Sequence, residues 1–207
     1  MRKHLLLVLL CTLFSLISAQ AETITFNVSP GTGQCLKGGS TAGTTAGHYF
    51  NTWKSTKTAP QLSVTTSKND MWIHTNTSSV HYFGGCRFTL TVTDGYIITG
   101  YSFDFLGYDG NSNSYTTRKE MTVQDAGGNE YKCATTATGR VEVKDLESST
   151  TYFDVVGPVT GNGNVLVTNF EVYVETKPNT LQPFQPTQIT DGAFADEIGR
   201  ASCRERV

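Results

Sequence analysis

No stretch of this 207-residue sequence spaces its apolar residues as an amphipathic helix would. That absence argues against a helical or α/β fold. Arginine is scarce as well: between the two ends of the chain only Arg87, Arg118 and Arg140 occur, and no basic stripe forms. Nucleic-acid and anionic-membrane binders rely on such stripes, so neither partner class is expected. Motifs that carry catalysis are missing too. There is no nucleophile elbow, HExxH, CxxC or P-loop. His48, His74 and His81 are scattered, and His81 beside Tyr82 has no nucleophile to serve as a base. Apolar runs are short; the longest, Leu5 to Ile17, falls well below the roughly 20 residues of a transmembrane helix.

That run reads instead as a secretory signal. Arg2 and Lys3 precede it, and Ala19-Gln20-Ala21 supplies the small residues of a cleavage site, so the mature chain is expected to start at Glu22. Cys11 follows Leu10, where a lipoprotein would carry a small residue, and is read as part of the signal. The expected location is secreted, periplasmic or at the cell surface, reached through the Sec route, with no membrane span in the mature chain. At the other end, residues 197–207 (EIGRASCRERV) resemble the conceptual translation of a common short-read sequencing adapter. The expectation is a natural sequence ending at about Asp196, with read-through beyond it. Setting both ends aside leaves 11 basic and 16 acidic residues, a net charge of −5. It also leaves Cys35, Cys86 and Cys133. An odd count allows one bridge with a free thiol, or three free thiols; export permits a bridge, and no pairing is favoured.

What the chain does have is alternation. Ile24, Phe26 and Val28 fall at every second position, as do Leu62 and Val64, and Phe88, Leu90 and Val92. The most aromatic stretch, Gly95 to Phe105, places Ile97, Thr99, Tyr101, Phe103 and Phe105 on one face of a single strand. Asp94-Gly95 is the strongest hairpin signal and predicts that Arg87–Thr93 and the aromatic strand are antiparallel neighbours. Further strands are expected at Tyr49–Lys54, Met71–Thr75, Glu120–Gln124, Tyr131–Ala134, Arg140–Val143, Tyr152–Val156 and Val165–Glu175, with a polar loop over Gly107–Thr117. Short strands separated by Gly/Asn turns predict an all-β fold: one antiparallel two-sheet β-sandwich, jelly-roll or immunoglobulin-like, over residues 22–175. At 38% hydrophobic residues the chain can bury one ordinary core. A Pro-rich linker is expected over 176–188, and the start of a truncated further domain over 189–196.

Three groups of residues have a functional reading beside an ordinary one. Arg87, Arg118 and Arg140 would clamp a carboxylate if they converged; otherwise they are solvated residues near strand ends. Asp109, Asn111, Asn113 and Glu120 match EF-hand calcium spacing, but Ser114 stands where that loop needs glycine, and the flanks are strands. A Gly/Asn turn accounts for them equally. Trp72, Tyr108 and Tyr115 lie beside polar loops, where aromatic faces suit the apolar faces of sugars. Tyr49 belongs to the same list of aromatics, whereas Trp53 and Tyr101 read as core. The acids Asp104, Asp109, Glu120, Glu142, Asp154 and Glu171 mostly alternate with core positions or sit in turns, the pattern of a solvated sheet face. No cofactor is implied.

Several motifs together carry a resemblance. They are Ile-Thr-Phe-x-Val-Ser-Pro at 24–30, Gly-Tyr-x-Ile-Thr-Gly-Tyr-Ser-Phe-Asp-Phe at 95–105 and Val-Thr-Asn-Phe-x-Val at 167–172. Beside the signal peptide, the set resembles the N-terminal accessory β-sandwich of large secreted glycan-degrading enzymes of gut anaerobes, exo-α-sialidases among them. Ile-Thr-Asp-Gly-x-Phe at 189–194 is similar to the start of the module that often follows. The resemblance implies a non-catalytic module, working in cis with a downstream sialidase propeller and in contact with host glycans. The propeller's arginine triad, Tyr/Glu nucleophile pair and Asp-boxes have no counterpart here, so no catalytic residue carries over. An adhesion or structural module with no enzyme attached is the alternative.

Overall fold

The computed structural model describes residues 22–37, 41–42, 49–66, 71–73, 80–109, 117–157 and 163–178. The signal region, most of the linker, the 189–196 segment and residues 197–207 lie outside them. Fifteen strands are present among the described residues. In chain order they are β1 (Ile24–Asn27), β2 (Gly33–Lys37), β3 (Thr41–Ala42), β4 (Tyr49–Phe50), β5 (Thr52–Ser55), β6 (Leu62–Thr65), β7 (Met71–Ile73) and β8 (Val80–Phe83). They continue with β9 (Cys86–Val92), β10 (Tyr96–Asp109), β11 (Met121–Asp125), β12 (Glu130–Cys133), β13 (Gly139–Val143), β14 (Thr150–Val156) and β15 (Gly163–Thr176).

These form two antiparallel sheets packed face to face, a β-sandwich. Sheet A runs β13-β10-β15-β8-β7-β4, with β1 also paired to β15; sheet B runs β12-β11-β14-β9-β6-β5-β2-β3. Alternation explains why the sheets stack. Phe88, Leu90 and Val92 of β9 are buried, as are Leu62 and Val64 of β6 and Val141 of β13, so each sheet presents one apolar face that must be covered. The interior is an aromatic layer. Phe153 of sheet B lies 5.4 Å from Phe88, 4.9 Å from Phe103, 5.7 Å from Tyr82 and 5.8 Å from Phe170, measured between ring centres. Such ring pairs contribute about 0.5–1.5 kcal/mol each beyond area burial. Trp53 is also core, with its indole N–H donating to the Ser29 carbonyl at 3.1 Å.

The Asp94-Gly95 turn does not make a hairpin. β9 belongs to sheet B, between β14 and β6, and β10 belongs to sheet A, between β13 and β15. A type I′ hairpin turn needs positive φ at both central residues, but here only Gly95 has it (86°). The turn therefore passes the chain from one sheet to the other. The segment 49–54 is likewise not one strand: β4 pairs with β7 in sheet A, β5 pairs with β2 and β6 in sheet B, and Asn51 lies at the crossing. β2, β3 and β8 lie where no strand was expected, and β10 continues to Asp109, three residues into the expected loop.

The aromatic strand itself changes phase. Ile98 pairs with Val174 and Gly100 with Tyr173, so Thr99 is an extra residue, a β-bulge. Ile98 is buried on the near side, and Tyr101, Phe103 and Phe105 on the far side. Ile97 and Thr99 thus do not share the face of the three rings, as strict alternation required. A second irregularity lies between Ser102 and Asp104, opposite Glu171 and Thr168. Here β15 holds the extra residue, Asn169, at φ 51°.

Candidate functional site

The outward positions of sheet A follow from its inward ones. In β7, Met71 and Ile73 are buried, so Trp72 faces out. In β8, Val80 and Tyr82 are core, so His81 and Phe83 face out. Phe50 is core in β4, which leaves Tyr49 outside. Phe105 is buried in β10 and Val165 and Val167 in β15, which puts Leu106 and Tyr108, and Asn164 and Leu166, on the outer side.

Register then aligns them. Leu106 pairs with Leu166, Leu166 with His81, His81 with Trp72, and Trp72 with Tyr49. One row of side chains therefore crosses five strands, about 19 Å at the usual interstrand spacing. A second row beside it holds Tyr108, Asn164 and Phe83. The rings touch across the rows. Trp72 meets His81 edge-on at 5.5 Å, His81 lies 6.0 Å from Tyr108, and Tyr49 lies 6.3 Å from Trp72 and 6.0 Å from Phe83. His81 is buried between its neighbours, and its Nδ1 lies 3.3 Å from Asn164 Oδ1. An amide oxygen only accepts, so this contact is a hydrogen bond in the tautomer that carries its proton on Nδ1. Tyr49 is 47% exposed and Trp72, Phe83 and Tyr108 are half-buried. The face thus offers aromatic rings flanked by polar tips, and among the described residues neither row holds a carboxylate or an ammonium.

The structure brings Trp72 and Tyr108 to this one face, on either side of His81. Tyr115 lies outside the described residues. Phe83, Leu106 and Leu166 were not expected; Val80 to Phe83 does alternate in the sequence, which is the signal that could have revealed β8.

The three arginines do not converge. Arg87, on sheet B, donates from Nε and Nη2 to the two oxygens of Asp154, both at 2.8 Å, and lies 3.7 Å over the Tyr152 ring. Arg140, on sheet A, donates to Asp104 Oδ1 at 2.9 Å. Arg118 stacks 5.3 Å over the Tyr108 ring. The candidate acids are engaged structurally as well. Asp104 also accepts from Asn169, and that bond and the Arg140 guanidinium hold its carboxyl below the ordinary value. Glu142 pairs with Lys144 at 2.7 Å and Glu171 accepts from the Tyr173 hydroxyl at 2.9 Å. Asn111 and Asn113 lie outside the described residues, so the calcium reading cannot be placed; Glu120 is exposed. Among the described residues no three His, Cys, Asp or Glu side chains form a metal-binding group.

Two further features are structural. Asp125 is buried at the β11–β12 turn, where burial raises its carboxyl but hydrogen bonds from Asn129 and Tyr131 outweigh that and hold it below the ordinary value. Cys35, Cys86 and Cys133 form no disulfide with one another; burial pushes the Cys35 thiol up to about 12. An open groove of about 790 Å³ along β11 and β12 holds Glu130 and Lys132, which pair with each other at 3.1 Å. No described helix is long and apolar enough to cross a membrane. Comparison with protein-family models, with curated proteins and with solved structures matches none of them.

Proposed function

We propose that this chain is a non-catalytic, carbohydrate-binding accessory module of a secreted glycoside hydrolase, and that the outer face of sheet A is its binding surface. The row from Leu106 through His81 and Trp72 to Tyr49 carries the reading. Aromatic rings gathered on one sheet face suit the apolar faces of pyranose rings, and the hydroxyl of the exposed Tyr49 suits their hydroxyl groups. Tyr49, at the sheet edge, is the exposed ring of this face, and exposed apolar surface marks interaction sites. Asp104 and Glu142 are held below the ordinary carboxylate range by their partners, which suits structural acids better than a general acid, whose carboxyl must be held up.

The test is a glycan array probed with the protein and with Trp72→Ala and Tyr108→Ala. Binding lost in both variants is expected. No hits, or hits insensitive to both changes, would remove the carbohydrate reading. The attached enzyme is proposed to be an exo-α-sialidase, on the strength of the motif resemblance alone. The complete reading frame tests this: Asp-box repeats downstream support it, and a surface-anchoring domain there would favour the adhesion module instead.

A further inference from the structure

We propose that Asp94-Gly95, the turn that carries the chain from sheet B to sheet A, is a site of spontaneous isoaspartyl formation in the folded protein. The reaction needs an aspartate carboxyl free to reach the nitrogen of the next residue, and a next residue whose side chain does not shield that nitrogen. Asp94 and Gly95 are both exposed. Among the described residues nothing bonds to the Asp94 carboxylate, and the Gly95 N–H donates to no acceptor. Glycine leaves the nitrogen uncovered, and a Cβ placed on Gly95 would meet no atom within 4 Å. Other described aspartates each lack a condition. Asp104 is held by Arg140 and Asn169, Asp125 by Asn129 and Tyr131, and Asp154 by Arg87. Asp145 is exposed, but the Leu146 amide that follows it donates to the Thr99 carbonyl at 3.0 Å. Asp109 also precedes a glycine, Gly110, which lies outside the described residues.

The Gly95 nitrogen attacks Asp94 Cγ. An N–Cγ bond forms, the Cγ–OH bond breaks, and the amide proton leaves with that hydroxyl as water. The product is a five-membered succinimide ring. Water then adds to one of its carbonyls. Addition at Cγ restores aspartate. Addition at the former main-chain carbonyl breaks its bond to nitrogen, which leaves Gly95 attached through the Asp94 side chain and a new carboxylate on the α-carbon. Water is released and taken up again, so the net step is an isomerisation that involves no oxidant. The main chain gains a methylene at a place where it is pinned on both sides. Thr93 N–H donates to the Gln61 carbonyl at 3.1 Å, and Lys177 N–H donates to the Gly95 carbonyl at 2.8 Å. The longer turn is expected to release the Lys177 bond, which lies just past the end of β15.

In the experiment the full chain is incubated folded, in mildly acidic buffer at body temperature, and sampled over weeks. After trypsin cleavage, electron-transfer fragmentation of the peptide from Phe88 to Arg118 locates isoaspartate within it. Isoaspartate at Asp94 is expected to accumulate at least about tenfold faster than at Asp104, Asp125, Asp145 or Asp154. Asp94→Glu should abolish it, because the same attack would have to close a six-membered ring. Asp94→Asn should reach the succinimide faster, with ammonia leaving in place of water. Amide hydrogen exchange at Lys177 should quicken as the modified fraction grows. Isoaspartate appearing first at Asp145 would overturn the inference. So would an Asp94 that stays unmodified in the folded chain, whether or not it reacts in urea, since the turn would then withhold the nitrogen.

Discussion

Asn169 holds a left-handed backbone conformation while its side-chain amide donates to Asp104 Oδ2 at 2.8 Å. The two residues sit at the second irregularity in the β10–β15 pairing, and Arg140 takes the other oxygen of the same carboxylate. A bulge leaves one residue unpaired in the ladder. Here the extra residue is of a type that tolerates positive φ, and the facing strand supplies an acceptor for it.

Asn169→Ala should therefore destabilise the protein more than Asn169→Gly. Both remove the amide, but only alanine also bears the left-handed conformation, which costs a Cβ-bearing residue roughly 1–2 kcal/mol. The difference would appear in urea denaturation midpoints. Equal midpoints for the two variants would show that the φ value does not matter to stability.

Asp125 predicts a pH dependence. Its carboxyl is held below 3.8 in the folded state. A depressed pKa stabilises the fold above the unfolded value, and this contribution is lost as pH falls through the lower folded value. Asp104 acts in the same direction. Asp125→Asn should lose about 1–3 kcal/mol at neutral pH, because Asn129 and Tyr131 lose a shared charged acceptor. It should also lose less stability than the wild type on acidification below pH 3.8. Parallel stability–pH curves would contradict this.

Phe153 and Arg87 should behave as opposites. Phe153 is fully buried and packs on rings from both sheets. Phe153→Ala is expected to cost roughly 3–5 kcal/mol, enough to unfold a marginal domain. Arg87 pairs with Asp154 on an exposed sheet face, and such pairs contribute little. Arg87→Ala should leave the thermal midpoint nearly unchanged; a large drop would mean that its place over Tyr152 matters more than its charge.

Thiol chemistry offers a fourth check. In the native protein at pH 8, iodoacetamide should modify Cys86 first and spare Cys35, whose side chain is buried and whose pKa is raised to about 12. Peptide mapping before and after denaturation reads this directly. Early labelling of Cys35 would place it outside the core.

Period-two patterning made much of the sandwich legible, because burial of one face leaves an imprint on every second residue. Phe88-Leu90-Val92 and Phe170-Val172-Val174 stand as their sequence implies. The failures have physical causes. Thr99 breaks the parity of the aromatic strand because a bulge inserts a residue without any composition signal. Asp94-Gly95 reads as a hairpin because its residues favour tight turns, but which sheet receives the next strand is decided by packing far from the turn. Trp72 and Tyr108 were legible as outward aromatics. Their meeting across His81 was not, since it depends on three cross-strand registers at once.

β15 is the last strand of the sandwich and lies inside sheet A, bonded to β1, β8 and β10. A chain synthesised from its N-terminus has made every other described strand before this one emerges. Until then β1 has no partner in sheet A, and the pairings of β8 and β10 with β15 are missing. Closure joins residues such as Ile24 and Val174, at opposite ends of the domain, and such distant contacts fold slowly. The consequence is that sheet A, and with it the aromatic row, is complete only once the chain has been made as far as residue 176.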